Sequence, residues 1–288
     1  MLRPCLAALV MVHVLAAHAQ GNDMPAQRPA WGSVYYMGGS SLGPGDLFLA
    51  DYRALAPGSQ LLQADLSDHN LTWWSLPRVD GGSSLTFLAG MHPFATEARN
   101  GPELRVGVRY ALGHSGPLEY SRTRHYAYDT LQSLHTGGQF VVDSITHSRY
   151  EMRYDEDRIG LDASLIFRTP EAHSRWNLYG GVGVGGGIAI NREITIHHST
   201  GWSLEPPYDT HEEKKTEEHI GLGTGGWFSA SVPMGLGFRL ARREGLLNRM
   251  DLFLEYRPQV LIYATGDPGT RTLFGSEWLL GLRARLYR

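Results

Sequence analysis

The sequence predicts an all-β fold: an eight-stranded antiparallel up-and-down transmembrane β-barrel with long extracellular loops and short periplasmic turns. Three observations predict it: an export signal at the N-terminus, period-two alternation of apolar and polar residues, and polar strand faces that combine glycine with arginine. The 288 residues include 35 glycines, which favours turns and close backbone packing over helices.

Composition and charge exclude several classes of protein. Hydrophobic residues make up 42% of the chain and charged residues 19%, which is typical of a folded protein rather than a disordered one. The formal net charge of −3 provides no basic surface, so we expect no nucleic-acid partner. No run reaches the roughly 18 apolar residues that a membrane helix needs.

The N-terminus has the pattern of a secretory signal peptide. Arg3 precedes an apolar stretch that begins at Cys5, and the small residues at Ala17 and Ala19 form a cleavage site. Cys5 is the only cysteine, so the mature chain has no thiol for a disulfide or a metal. The predicted organisation is a cleaved signal peptide at 1–19, an N-terminal periplasmic segment at 20–30 and the barrel domain at 31–288.

Strict alternation marks the wall strands. Between Met250 and Ala264, for example, Leu252 and Leu254 alternate with Phe253 and Glu255. The predicted strands are 31–40, 83–92, 103–113, 157–168, 175–190, 225–241, 249–264 and 273–287.

Connection lengths give the barrel its polarity. Short turns are predicted on the side of the termini, and the long connections fall on the opposite side, which is typical of a bacterial outer-membrane barrel. The turns are 93–102, 169–174 and 242–248, the long loops are 41–82, 114–156 and 191–224, and the connection at 265–272 is a short one on the loop side.

Side-chain type indicates which face is enclosed. Glycines such as Gly181 and Gly183 would weaken a strand face that is exposed to water, but inside a narrow barrel they leave space for large neighbouring side chains. The planar guanidinium of arginine suits bidentate pairing with carboxylates in an enclosed site. The lumenal network could form an ion path, but we favour a packed polar plug. Its predicted members are Glu103, Arg105, Arg109, Arg158, Asp162, Arg168, Arg239, Asp251, Glu255, Arg257, Glu277, Arg283 and Arg285.

Aromatic residues near the strand ends resemble two membrane-interface girdles. We therefore expect contact with outer-membrane lipid. The predicted girdle residues are Phe167, Trp176 and Phe238 toward the turns, and Tyr110, Phe228 and Phe274 toward the loops.

The final strand, from Trp278 to Arg288, and the run from Asp157 to Arg168 resemble small outer-membrane β-barrel proteins, the OmpA/OmpX/OmpW-like group, in a style similar to Bacteroidota-type bacteria. The resemblance covers residues 31–288 and implies residence in the cell outer membrane. It also implies that the barrel assembly machinery reads the last strand as an insertion signal. The matching residues are Gly281, Ala284, Leu286 and Tyr287, although Arg288 ends the chain where the group usually has an aromatic residue.

Histidine and carboxylate residues share the connection at 191–224. His197, His198 and the segment 211–219 could bind a divalent metal, but they lack a fixed ligand spacing, so a solvated charged loop is the favoured interpretation. We expect neither a metal nor another cofactor.

Two serine–histidine pairs could suggest a hydrolase. His147 and Ser148, like His198 and Ser199, are adjacent in sequence, and adjacent strand residues point to opposite faces. We therefore predict no catalytic residue. The glycine-rich run 181–187 lacks the Lys-Ser/Thr ending of a phosphate loop and is interpreted as a packing device.

Residues 118–155 predict a hairpin that protrudes beyond the membrane. Strand-forming residues such as Tyr126, Tyr128 and Tyr150 lie on both sides of the turn at Thr136–Gly138. An exposed edge there could pair with a strand of a surface partner, or the hairpin could be shielded by surface polysaccharide.

These observations favour a non-enzymatic outer-membrane barrel with a structural or surface-binding, adhesive role through its extracellular loops. The alternative is a porin-like barrel that transports small solutes. A lipid-modifying outer-membrane enzyme is the third hypothesis, and unchanged lipid acylation in cells that lack the protein would remove it.

Overall fold

The computed structural model describes residues 30–44, 47–72, 79–92, 102–115, 117–132, 137, 139–169, 175–204, 211–241, 246–265 and 269–286. The predicted signal peptide, residues 20–29 of the N-terminal segment and Tyr287 lie outside these described residues. Among the described residues, no helix is long and apolar enough to cross a membrane.

Nearly all described elements are antiparallel strands. In chain order they are β1 (Ala30–Pro44), helix α1 (Leu49–Leu55), β2 (Asn70–Leu71), β3 (Val79–His92), β4 (Glu103–His114), β5 (Leu118–Gln132), β6 (Gln139–Arg168), β7 (Trp176–Leu204), β8 (His211–Leu222), β9 (Gly225–Ser231), β10 (Met234–Arg239), a 3-10 turn (Leu246–Arg249), β11 (Met250–Thr265) and β12 (Gly269–Arg285).

The wall of the molecule is a closed ring. Its order is β1, β3, β4, β6, β7, the pair β9 and β10, β11 and β12, and β12 returns to β1. Strands β9 and β10 share one wall position because both pair with β7 and β11. They are separated at Val232 and Pro233, where proline cannot donate to the ladder. The ring therefore has eight positions, and the predicted all-β, eight-stranded antiparallel up-and-down barrel is confirmed.

Two wall strands continue far beyond the ring. β6 has 30 residues and β7 has 29. Their far halves join β5 and β8 in a four-stranded sheet, which we call the extension: β5, residues 139–156, residues 192–204, and β8. The connection at 191–224, predicted as a long loop, is instead largely this part of β7 and β8. The sequence did not predict a strand here because β7 contains an extra residue near Asn191, whose φ is 50°. This residue shifts the alternation of inward and outward side chains along β7 by one position.

The first long connection also has structure. Residues 47–72, which we call the cap, contain α1 and cover one face of the extension. The helix begins with the Phe48 N–H donating to Asp51 Oδ2 at 2.8 Å. Arg53 then donates to the carbonyl oxygens of Leu62 at 2.7 Å and Ala64 at 2.8 Å, which folds the following loop back onto the helix.

The outward face of β6 changes character along its length. Arg153 and Asp155 lie on the outward face of the extension, whereas Ile159, Leu161 and Phe167 are exposed on the ring, with Leu161 64% exposed. β7 and β11 show the same outward apolar band, and the inward residues are buried. On β11, the ten residue steps from Leu252 to Ile262 rise about 34 Å along the strand and about 26 Å along the axis at the usual tilt of ~40°.

Candidate functional site

The lumen is filled by ion pairs, beginning at the turn side. Glu103 is fully buried and accepts hydrogen bonds from Ser33 and from Tyr35 Oη at 2.6 Å. Arg168 Nε lies 3.1 Å and Arg283 Nη2 3.4 Å from the same carboxylate. Two guanidinium groups therefore neutralise one enclosed charge.

The middle of the lumen is centred on Glu255, which is also fully buried. Arg105 Nη1 and Arg257 Nη2 each lie 2.8 Å from its carboxylate, and Tyr179 Oη donates to it at 3.0 Å. Arg257 Nη1 also lies 2.7 Å from Asp162 Oδ2. The four charged side chains occupy the space between opposite walls.

Toward the extension the network continues through Glu156, a residue that sequence reasoning missed. Arg109 pairs with Glu277, and Arg158 Nε lies 3.4 Å from Glu156 Oε1. Tyr263 Oη donates to Glu156 at 2.6 Å. The continuation of inward alternation on β6 beyond Arg158 was the signal that could have identified Glu156.

The remaining predicted lumenal residues lie at the turn side. Asp251 is buried, 3.4 Å from Arg283 Nη1 and 3.0 Å from Arg285 Nη2. Arg239 is paired in register with Asp251 and is half-buried. All thirteen predicted residues therefore lie on the inward faces, with Arg239 and Arg285 near the rim.

Glycines provide the space for large lumenal rings. A Cβ on Gly160 would meet Trp227 at 2.6 Å, and one on Gly281 would meet Phe253 at 2.6 Å. Gly281, predicted as part of an insertion signal, thus faces the lumen. Ala284 and Leu286 follow at the end of β12 and are half-buried.

The six predicted girdle aromatics all lie on outward faces. Trp176 and Phe238 contact each other at the turn side, with ring centroids 4.6 Å apart, and Phe167 is 55% exposed nearby. Tyr110, Phe228 and Phe274 are exposed toward the opposite end of the ring.

The cap crosses the loop-side mouth of the ring. It leaves β1 and reaches β7 and β8, and β1 and β7 occupy opposite positions in the ring. Tyr52, Leu62, Met152 and Ile194 form part of a buried apolar cluster between the cap and the inward face of the extension. Ser59 Oγ donates to Glu218 Oε2 at 2.5 Å and fixes the far end of this crossing.

Ser148 joins two histidines that are distant in sequence. His69 Nε2 lies 3.0 Å and His198 Nε2 3.2 Å from Ser148 Oγ. Burial lowers the pKa of His69, with a further lowering by Arg122, and burial lowers the pKa of His198. Sequence reasoning considered only adjacent Ser–His pairs and missed this cross-strand contact. Among the described residues, the buried Nδ1 of His69 has no hydrogen-bond partner, so no third side chain orients this imidazole as one does in a catalytic triad.

The histidines predicted within a charged loop lie on strands. His219 contacts Glu193 at 2.6 Å and Glu217 at 2.7 Å, and His197 lies 3.6 Å from Glu217. The hydrogen bond that His219 donates to the Glu193 carboxylate is the main cause that raises the pKa of His219. In the part of the chain that the structure describes, no group of three or more His, Cys, Asp or Glu residues is arranged to hold a metal ion.

The predicted hairpin at 118–155 corresponds to β5 and the far half of β6. β2 pairs with β5 only at Tyr120 and Ser121, and no other described strand lies along the rest of that edge. Tyr126 and Tyr128 are exposed beyond this point, and Tyr128 contacts Trp202 with ring centroids 6.2 Å apart.

No protein-family profile matches the sequence, and no curated protein sequence matches it. Among solved structures, the chain is similar to Neisserial surface protein A, NspA, with 11% identity, 90% of this chain and 99% of that chain covered, and a TM-score of 0.35. Similarity also extends to the attachment invasion locus protein Ail of Yersinia pestis, with 12% identity, coverage of 89% and 100%, and a TM-score of 0.26. The outer membrane protein OprG from Pseudomonas aeruginosa has 11% identity, coverage of 92% and 100%, and a TM-score of 0.25. The barrel architecture is shown by the closed ring itself, independently of these similarities.

Proposed function

We propose that the protein is a non-enzymatic barrel of the cell outer membrane, in the OmpA/OmpX/OmpW-like group, that displays the extension and the cap outside the cell. The observation that carries this proposal is the change on the outward face of β6, from charged at Asp155 to apolar at Ile159 and beyond. A surface of that kind matches lipid below and water above. An even number of wall positions also leaves the start of β1 and the end of β12 on the turn side, which is the periplasmic side in such barrels.

The lumen serves as a structural plug in this proposal. Glu103, Glu255 and Glu277 are fully buried, and each contacts at least one guanidinium group. A side-chain network of this density fills the bore of a narrow barrel.

Conductance distinguishes the plug from the porin-like alternative. Purified protein in planar bilayers should show no steady open current. Replacing the central pair, Arg105→Ser with Glu255→Ser, should increase conductance because both side chains leave the bore. Steady currents from the unmodified protein would contradict the plug and favour transport of small solutes.

In this proposal, a surface partner binds at the edge of β5 and at the exposed aromatic side chains beside it, Tyr126 and Tyr128. Tyr128 is 61% exposed, and aromatic side chains provide much of the contact energy at protein interfaces. Partner strands can also add to an unpaired sheet edge. Outer-membrane lipid and the barrel assembly machinery complete the proposed partners.

Adhesion can be measured with protein-bearing cells on immobilised extracellular-matrix proteins. Tyr128→Ser should reduce retention several-fold, whereas Leu247→Ser should not, because Leu247 is exposed on the turn side. Equal retention of the two variants would remove the β5 region as the binding surface.

A further inference from the structure

Where the end of the cap meets the extension, beside the pairing of β2 with β5, four side chains lie in contact, and we call them the latch: His69, Ser148, Tyr150 and His198. Both imidazole Nε2 atoms contact Ser148 Oγ, so they lie within about 6 Å of each other. Tyr150 stacks on His198 at 4.0 Å between ring centroids and meets His69 edge-on at 5.4 Å. The latch thus joins the cap to two adjacent strands through two titratable rings.

Positive charge already surrounds the latch on the β5 side. Arg122 is the direct register partner of Ser148, and Arg124 lies two residues further along. Asp68 pairs with both, at 3.7 Å from Arg122 Nη1 and in close contact with Arg124. One exposed carboxylate therefore faces two guanidinium groups next to His69.

The other packed elements supply little compensating negative charge. On β8, Thr216 is the register partner of His198, and Glu218 is already bound by the Ser59 hydroxyl. Lys214 lies two residues beyond Thr216 and carries a further positive charge. In the cap, Asp65 accepts a hydrogen bond from the Ser67 N–H at 2.9 Å.

We propose that the latch is sensitive to acid: protonation of His69 and His198 releases this end of the cap from the extension and exposes the apolar inward face of the extension. Two imidazolium groups would share one hydroxyl while facing Arg122 and Arg124, and like charges at this separation repel strongly in a partly buried site. The exposed surface would include Tyr150, Met152 and Ile196, which the cap now covers. This inference does not depend on the surface-binding role.

The sign of the pH dependence follows from proton linkage. The pKa values of His69 and His198 are lowered when the cap is docked, so the released state binds more protons. Docking is therefore fully favourable above the ordinary histidine pKa of about 6.5 and weakens as the pH falls below it.

Hydrogen–deuterium exchange of the full chain in detergent tests whether acid releases the cap at the latch. After correction for intrinsic exchange rates, amides of residues 59–72 should open roughly tenfold more often at pH 5 than at pH 7.5. The double variant His69→Gln with His198→Gln should lose this pH dependence. His219→Gln is the matched control, since His219 lies on the outward face between two glutamates and should not alter cap exchange.

A second variant keeps the test decisive if the double variant already opens at pH 7.5. Arg122→Gln removes a neighbouring positive charge and should move the opening transition to lower pH. Heat-dependent gel mobility of each variant reports whether the barrel itself stays folded. Cap exchange that is independent of pH in the unmodified protein, or a transition unchanged by Arg122→Gln, would overturn the proposal.

Discussion

Replacement of Glu255 by alanine is the sharpest perturbation of the lumen. Arg257 would keep its contact with Asp162 at 2.7 Å. Arg105 would lose Glu255, which is its carboxylate partner among the described residues, and would retain a hydrogen bond to Ser164 Oγ at 3.0 Å. One buried guanidinium is therefore left uncompensated, and breaking a buried ion pair in this way costs about 3–5 kcal/mol. We expect Glu255→Ala to lower the free energy of unfolding by that amount.

Urea unfolding in detergent micelles, followed by tryptophan fluorescence, measures the change. Adding Arg105→Met to Glu255→Ala should restore part of the stability, because the stranded cation is removed and the methionine fills some of the space. Glu213→Ala is the control, since Glu213 pairs with Lys215 at 3.3 Å on the exposed extension and should change stability by no more than about 1 kcal/mol. If Glu255→Ala cost no more than Glu213→Ala, the lumen would be hydrated and the plug would be wrong.

Two further predictions concern the wall. Leu280 is 56% exposed within the apolar band, and Leu280→Arg should destabilise the membrane-inserted protein by about 2–4 kcal/mol in refolding titrations with lipid vesicles. Thr195→Arg, on the outward face of the extension, should have little effect, and equal effects of the two substitutions would contradict the position of the apolar band. Gly160→Ala places a Cβ against Trp227 and the backbone oxygen of Gly186 and should cost about 1–3 kcal/mol by overpacking, so unchanged urea unfolding would mean that Trp227 has room to move.

The wall could be predicted from the sequence because each of its strands has one enclosed face and one apolar outward face. The alternation around Glu255 and Arg257 therefore predicts both that this segment is a strand and which of its side chains share one face. Side-chain type indicated that the polar face points inward, because arginine suits enclosed ion pairs and glycine weakens a strand that gains no packing from it.

The hairpin at 118–155 was predicted from its strand-forming residues, but the cap and the β7–β8 half of the extension could not be predicted by the same argument. The extra residue near Asn191 breaks the period on β7, and Pro233 divides the strand predicted at 225–241 into β9 and β10. The contacts of His69 with Ser148, and of Ser59 with Glu218, join segments far apart in sequence and depend on tertiary packing. No local pattern specifies such pairs.

Gel migration of detergent-extracted outer-membrane fractions, with and without boiling, tests the central claim most directly. A closed barrel with a paired lumen and an apolar outward face should be found in that fraction and should change its mobility only after heating. Recovery of the protein from the soluble periplasmic fraction, with identical mobility before and after heating, would contradict this account and place the apolar faces in an interior core.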